Sequence, residues 1–181
     1  MRCLPFFVAG LSISLFLFST HSAAQPGQTH LKPGDIPPSL AGQALTGKWV
    51  DITSASSGNP AVVVFSFSRA GGRDAELWTQ HLMKGDPHLA IYTVIFLESV
   101  PGLFRAMAVS GIKDGMPSAL QDRTILLYRD EDLWKQRLQV ANERHACVML
   151  LGPTGRVQWM KSGPFADALY SEFSKSIGAL K

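Results

Sequence analysis

Cys147 is the first residue to weigh as a chemical agent. It stands in the run Ala146-Cys147-Val148-Met149-Leu150-Leu151, directly preceded by Arg144 and His145. A thiol becomes a nucleophile where nearby positive charge stabilises its thiolate. On a strand, residues two apart share a face, so His145 would lie beside Cys147. That pattern suits a monothiol enzyme or thiol sensor in which Cys147 reacts and His145 and Arg144 lower its pKa. A lone cysteine in an apolar run is also the pattern of an inert packing residue. Metal chemistry is not indicated: a His-x-Cys pair offers two ligands where structural zinc takes four. His30, His81 and His88 have no spacing that completes a set.

The second candidate is the stretch Ser66-Phe67-Ser68-Arg69-Ala70-Gly71-Gly72-Arg73-Asp74. Two glycines free the backbone, a helix start would offer N–H groups, and two arginines supply charge. Ser68, Arg69, Gly71, Gly72 and Arg73 therefore form a candidate site for a small anion, a carboxylate or a phosphate. The alternative is an ordinary strand-to-helix turn in which Arg73 pairs with Asp74 or Glu76. No nucleotide-binding glycine pattern occurs, and no cofactor is implied.

The elements that must position these residues follow from hydrophobic periodicity. Residues 61–65 (Ala-Val-Val-Val-Phe) form a continuous β-branched run, as in a strand buried on both faces. The turn at 70–73 leads to a helix over 74–84, with Leu77, Trp78, His81 and Leu82 at helical spacing and an acidic first turn. Residues 91–97 make a second strand. Pro101 opens a second helix running to about residue 112, a loop occupies 115–122, and a third strand spans 124–128. Asp130 caps a short helix carrying Leu133, Trp134 and Leu138. Two strands at 146–151 and 156–160 flank the tight turn Gly152-Pro153-Thr154-Gly155, and a helix over 164–179 follows. Upstream, residues 40–52 read as a small hairpin and 54–60 as a loop. The order is β-α-β-α-β-α, then a hairpin, then a helix: an α/β domain with a central mixed sheet of about five strands flanked by helices, plus an N-terminal hairpin extension.

Composition agrees with one packed domain. The chain has 181 residues, 46% of them hydrophobic and only 17% charged, which suits a real core and argues against disorder. The net charge is +3. No run of five or six basic residues is present, so nucleic acid is not an expected partner.

Residues 1–24 are read separately from residues 40–181. Arg2 precedes an apolar run over 4–18, and Ser22-Ala23-Ala24 offers small residues at a peptidase site. This is the layout of a secretory signal peptide cleaved after Ala24. The run is shorter than the roughly 20 residues of a bilayer span, although an uncleaved N-terminal membrane anchor is the alternative. Cleavage removes Cys3 and leaves Cys147 alone, so no internal disulfide framework is expected in the exported chain. Residues 25–39 are polar and Pro-rich and read as an extended leader.

Three stretches carry a resemblance to the thioredoxin-like superfamily. Pro33-Gly34-Asp35-Ile36-Pro37 through Leu45-Thr46-Gly47-Lys48 looks like the opening of exported members. Residues 62–74 look like their first strand and active-site turn, and 150–157 like the hairpin after their substrate-binding loop. The resemblance implies a Cys-x-x-Cys at the first helix start; here that slot reads Ala70-Gly71-Gly72-Arg73. It implies a cis-proline in the loop before the fourth strand; here that loop is Asn142-Glu143-Arg144-His145-Ala146. Dithiol oxidoreductase activity is therefore not expected.

A narrower resemblance lies in Phe65-Ser66-Phe67-Ser68-Arg69-Ala70-Gly71-Gly72-Arg73-Asp74-Ala75-Glu76-Leu77-Trp78, in Val94-Ile95-Phe96-Leu97-Glu98 and in Arg123-Thr124-Ile125-Leu126-Leu127-Tyr128. These are similar to the mitochondrial ATP synthase assembly factors that escort the membrane-embedded proton-channel subunit. That family is thioredoxin-like without the dithiol. The resemblance implies a binding or assembly role with a protein partner, a membrane complex being the candidate, on a chain with a bacterial-type export leader. Phe104, Met107 and Val109, with Met116-Pro117, are either contact surface for that partner or core.

Overall fold

In the computed structural model, residues 30–55 and 58–180 are described. The expectations for a signal peptide over 1–24 and for residues 25–29 of the leader lie outside them.

The parallel core of the sheet forms where apolar runs are bounded by helices. Strand β3 (Ala61–Ser66) is buried at every position. It pairs in parallel with β4 (Ala90–Phe96), and β4 pairs in parallel with β5 (Thr124–Leu127). On the other side β3 pairs antiparallel with β6 (Cys147–Leu151), which turns back into β7 (Val157–Ser162). The expected N-terminal hairpin exists as β1 (Ala41–Ala44) and β2 (Trp49–Asp51).

One expectation needs correcting: the sheet has seven strands, not about five, in the order β2-β1-β5-β4-β3-β6-β7. The hairpin is no separate extension, because β1 pairs antiparallel with the free edge of β5. Gly42 permits that approach. A Cβ there would lie 2.6 Å from the Ile125 side chain and 3.0 Å from the Leu126 carbonyl.

Helix boundaries also move. Helix α2 spans Arg69–Gly85, starting five residues before the expected Asp74. Short helix α1 (Ile52–Ala55) starts at the last residue of the expected hairpin and runs into the expected loop, and α4 (Ser118–Gln121) lies within the loop expected over 115–122. Helix α3 is Gly102–Gly115, α5 is Glu131–Arg137 and α6 is Asp167–Gly178. Asp130 holds the N-cap position of α5 but gives no side-chain cap; its backbone is left-handed at φ 64°.

Apolar side chains fill both faces of the sheet. One face packs Phe65, Phe67, Tyr92, Ile125, Trp134 and Met149. The other packs Val62, Val64, Val148, Trp78, Trp159 and Phe173 beneath α2 and α6. The leader is tied down where it is described. Leu31 N–H donates to the Arg137 carbonyl, Gly34 N–H to the Val157 carbonyl, and Val157 N–H to the Asp35 carbonyl.

Candidate functional site

Three parallel strands end side by side at Ser66, Phe96 and Leu127, and α2, α3 and α5 begin just beyond them. In α/β sheets this carboxyl edge is where ligands and partners are usually received. Both sequence candidates fall near it.

Ser68 is the N-cap of α2. Its Oγ accepts the Gly71 N–H at 3.0 Å and donates to the Glu143 carbonyl at 2.6 Å. Gly72 N–H donates to the Ser68 carbonyl at 2.8 Å. The expected turn is thus the first turn of a helix, capped by a residue that propensity alone favours there. The loop over 142–146 lies directly on that turn. A Cβ on Gly71 would stand 2.6 Å from the Glu143 carbonyl oxygen and 3.3 Å from that of His145. Gly71 is buried for this reason, whereas Arg69 and Arg73 are exposed. Among the described residues neither arginine forms an ion pair, with Asp74, Glu76 or any other carboxylate.

Asp74 is occupied elsewhere. Its Oδ2 accepts the Ala146 N–H at 2.8 Å and its Oδ1 accepts the Phe165 N–H at 2.9 Å. It therefore bolts α2 to the start of β6 and to the segment entering α6.

A charge cluster built on the buried Glu131 and the largely buried Lys135 reaches the same loop through the exposed Glu143. Lys135 Nζ lies 2.8 Å from Glu131 Oε1 and 2.8 Å from Glu143 Oε1, and 3.7 Å from Asp132 Oδ1. It sits over the Phe67 ring at 5.9 Å, and Phe67 stacks on Phe96 at 4.6 Å. Burial alone would lower the Lys135 pKa, but Glu131 and Glu143 outweigh it and push the ammonium above its ordinary value. Glu131 Oε2 accepts the Ser99 N–H at 3.2 Å, and Glu98 Oε2 accepts the Glu131 N–H at 2.7 Å. This network joins α2, the 142–146 loop, α5 and the segment leading into α3. Sequence reading passed over Lys135, Glu131 and Glu143; the i, i+4 spacing of Glu131 and Lys135 was the available signal.

Cys147 opens β6 opposite Phe65, with none of its surface exposed. Burial pushes its thiol up, away from the thiolate a nucleophile requires. His145 is half-buried in the turn before β6 rather than on the strand, and its N–H donates to the Asn142 carbonyl. The structure thus brings His145 to Gly71 through its backbone and leaves Cys147 in the core. No group of three or more His, Cys, Asp or Glu side chains among the described residues is placed to hold a metal.

Helix α3 resolves the contact-or-core alternative by splitting it. Val109 and Met116 pack on Leu45, Leu97 and Leu126. Phe104 and Met107 are exposed, as is Leu103.

A mixed sheet with β1 and β5–β3 between helices, and a helix starting at the carboxyl edge of β3, defines a thioredoxin-like protein. Solved structures share the fold. A putative thiol:disulfide interchange protein DsbE from Chlorobium tepidum superposes with a TM-score of 0.59 at 15% identity, covering 83% of this chain and 98% of that one. The thioredoxin domain of a thiol-disulfide oxidoreductase from Bacteroides vulgatus gives 0.53 at 22%, covering 80% and 97%. BsSco, a member of the Sco family of cytochrome c oxidase assembly proteins, gives 0.51 at 16%, covering 85% and 100%. The profile of the ATP10 protein family matches residues 36–180, and the chain belongs to that family of thioredoxin-like assembly factors. Among curated proteins none matches.

Proposed function

We propose that this protein is an exported assembly factor that works by binding a protein of a membrane complex and carries out no dithiol exchange. The observation that carries the reading is the α2 start. Where a redox relative would present a thiol to substrate, Ser68 caps the helix and the Glu143 carbonyl covers Gly71. No thiol stands there, the Ser68 hydroxyl is held by the Glu143 carbonyl, and the helix start is covered by backbone contact. Family membership supports an assembly role, and the three-part N-terminus supports export with cleavage after Ala24.

The two other readings have less behind them. A monothiol enzyme or sensor would need Cys147 reachable and acidic, and its burial acts against both. An anion at Arg69–Arg73 would meet the Glu143 carbonyl oxygen at the helix start, and one N–H there is already taken by Ser68.

Affinity purification of the tagged full chain from gently solubilised cell envelopes, with mass spectrometry, tests the proposal. Reproducible enrichment of one membrane complex is expected, with a mature chain beginning at Gln25. A chain that comes out alone, or one that reduces disulfides catalytically and stops doing so as Cys147→Ser, would overturn it.

A further inference from the structure

Helix α2 begins against its own dipole. A helix N-terminus favours acidic side chains and disfavours cations. Yet Arg69 is the first residue of α2, Arg73 follows one turn on, and the first turn holds no acid. Nothing within the fold compensates for this. Both arginines are exposed, and among the described residues neither guanidinium has an ionic or hydrogen-bonding partner. Arg144 is in the same state. It is exposed in the 142–146 loop, its N–H donates to Asn142 Oδ1 at 3.0 Å, and its guanidinium is without a partner among the described residues. The three side chains arise around one contact: the Glu143 and His145 carbonyls, either side of Arg144, close on Gly71, which is two positions from Arg69 and two from Arg73. The acids nearby are committed elsewhere. Asp74 accepts two backbone N–H groups, Glu143 reaches Lys135, and Glu76 accepts the Gln80 amide.

We infer that Arg69, Arg73 and Arg144 form a docking surface for an acidic segment of the partner protein, whose Glu and Asp carboxylates the guanidiniums take. The inference rests on the reading above that this chain works by binding another protein. Charge complementarity selects the occupant: three cations lack counter-charge here, and a carboxylate brought to them also sets negative charge at the helix start, where the dipole favours it. A local rule broken with no structural return marks a functional position. Residue type narrows the choice, because arginine holds a carboxylate through two parallel N–H···O bonds, whereas lysine offers a point charge. The loop is set in advance by Ser68 and Lys135 on Glu143 and by Asp74 on the Ala146 N–H, which lowers the ordering cost of binding through Arg144. This surface differs from a small-anion site on the α2 N–H groups, which Ser68 and the Glu143 carbonyl close. An anionic membrane fits less well, since segments that bind lipid headgroups gather about four to eight Lys and Arg without distinguishing them.

The test uses the full chain in non-ionic detergent and a short fluorescent peptide of alternating Glu and Ser, with its Gln counterpart as control. The wild type is expected to bind the Glu peptide and not the Gln peptide. Arg69→Ala, Arg73→Ala and Arg144→Ala combined are expected to weaken binding about tenfold or more, without lowering the urea midpoint, because none of the three side chains has a partner in the fold. The three arginines changed to lysine keep the charge and are expected to bind more weakly than the wild type, because the fork is lost. Equal binding of both peptides, no binding by the wild type, or undiminished binding by the alanine or the lysine variant would overturn the inference. Flotation with phosphatidylglycerol vesicles that the alanine variant abolishes, in a chain that ignores the Glu peptide, would overturn it in favour of lipid. In the envelope purification the alanine variant is expected to lose the complex that the wild type enriches. A variant that still enriches it overturns this inference and leaves the assembly reading standing.

Discussion

The Cys147 thiol lies at the start of β6 with no surface exposed, and burial holds it protonated at neutral pH. In a Cys3→Ser background, iodoacetamide at pH 8 is therefore expected to leave native Cys147 intact and to modify it fully in urea. Labelling of the folded chain at the unfolded rate would show that the thiol is reachable. Gly71 makes the opposite kind of demand. Alanine normally improves a helix interior, but here its Cβ would strike the Glu143 carbonyl. Gly71→Ala is expected to destabilise by about 1–3 kcal/mol in urea denaturation; a stabilised variant would mean the 142–146 loop is not seated on α2. Lys135→Ala leaves Glu131 buried without its cation, with an expected loss of about 3 kcal/mol. The pH sign follows from the raised pKa. Lys135's stabilisation is fully present below its unfolded value near 10.5 and fades as pH rises through the higher folded value. The gap between wild type and Lys135→Ala should thus hold steady from pH 7 to 10 and narrow above that. A gap already shrinking below pH 10 would contradict this.

Helix α2 shows how an element start depends on a remote partner. Residues 70–73 read as a turn because two adjacent glycines disfavour a helix interior locally. In the fold, the cap by Ser68 and the clearance needed by the Glu143 carbonyl, 75 positions away, place those residues inside α2. The same remoteness hides Asp74, whose acidity is legible as a helix-start preference but whose partners are Ala146 and Phe165. Asp74→Ala is expected to cost about 2–3 kcal/mol and to speed hydrogen exchange at those two amides specifically. Uniform exchange across α2 and β6 instead would mean a global loss with no such bolt. Strands were more legible than helix ends, since β3, β4 and β6 are nearly continuous apolar runs that need both faces covered.

At the scale of the molecule, stability comes from two apolar layers, with no covalent brace among the described residues. Trp78 is central to one layer, in contact with the rings of Trp159, Phe165, Tyr170 and Phe173. Trp78→Ala is expected to lose about 3–5 kcal/mol by thermal or urea unfolding, and a loss below 1 kcal/mol would mean that this layer is not cooperative with the rest. Among the described residues the single cysteine is free. Electrostatics contribute at a few points: the Lys135–Glu131 pair is largely buried, whereas Lys48 and Asp122, 2.9 Å apart, are exposed and belong to the class of pairs that contribute little.

The order of strands and helices, the mixed α/β class and the absence of cysteines from the α2 start were determined by the chain's own local patterns. Those patterns depend on neighbours within a few residues, whose periodicity is written consecutively. Tertiary structure alone decided that the hairpin joins the sheet at β5, that residues 142–146 close over Gly71, that Lys135 joins three carboxylates, and which half of α3 faces water. Each of these sets side by side residues that are far apart along the chain, or selects one helix face from two of similar polarity. In α3 the choice depended on Leu45, Leu97 and Leu126 claiming Val109 and Met116, which leaves Leu103, Phe104 and Met107 on the outside.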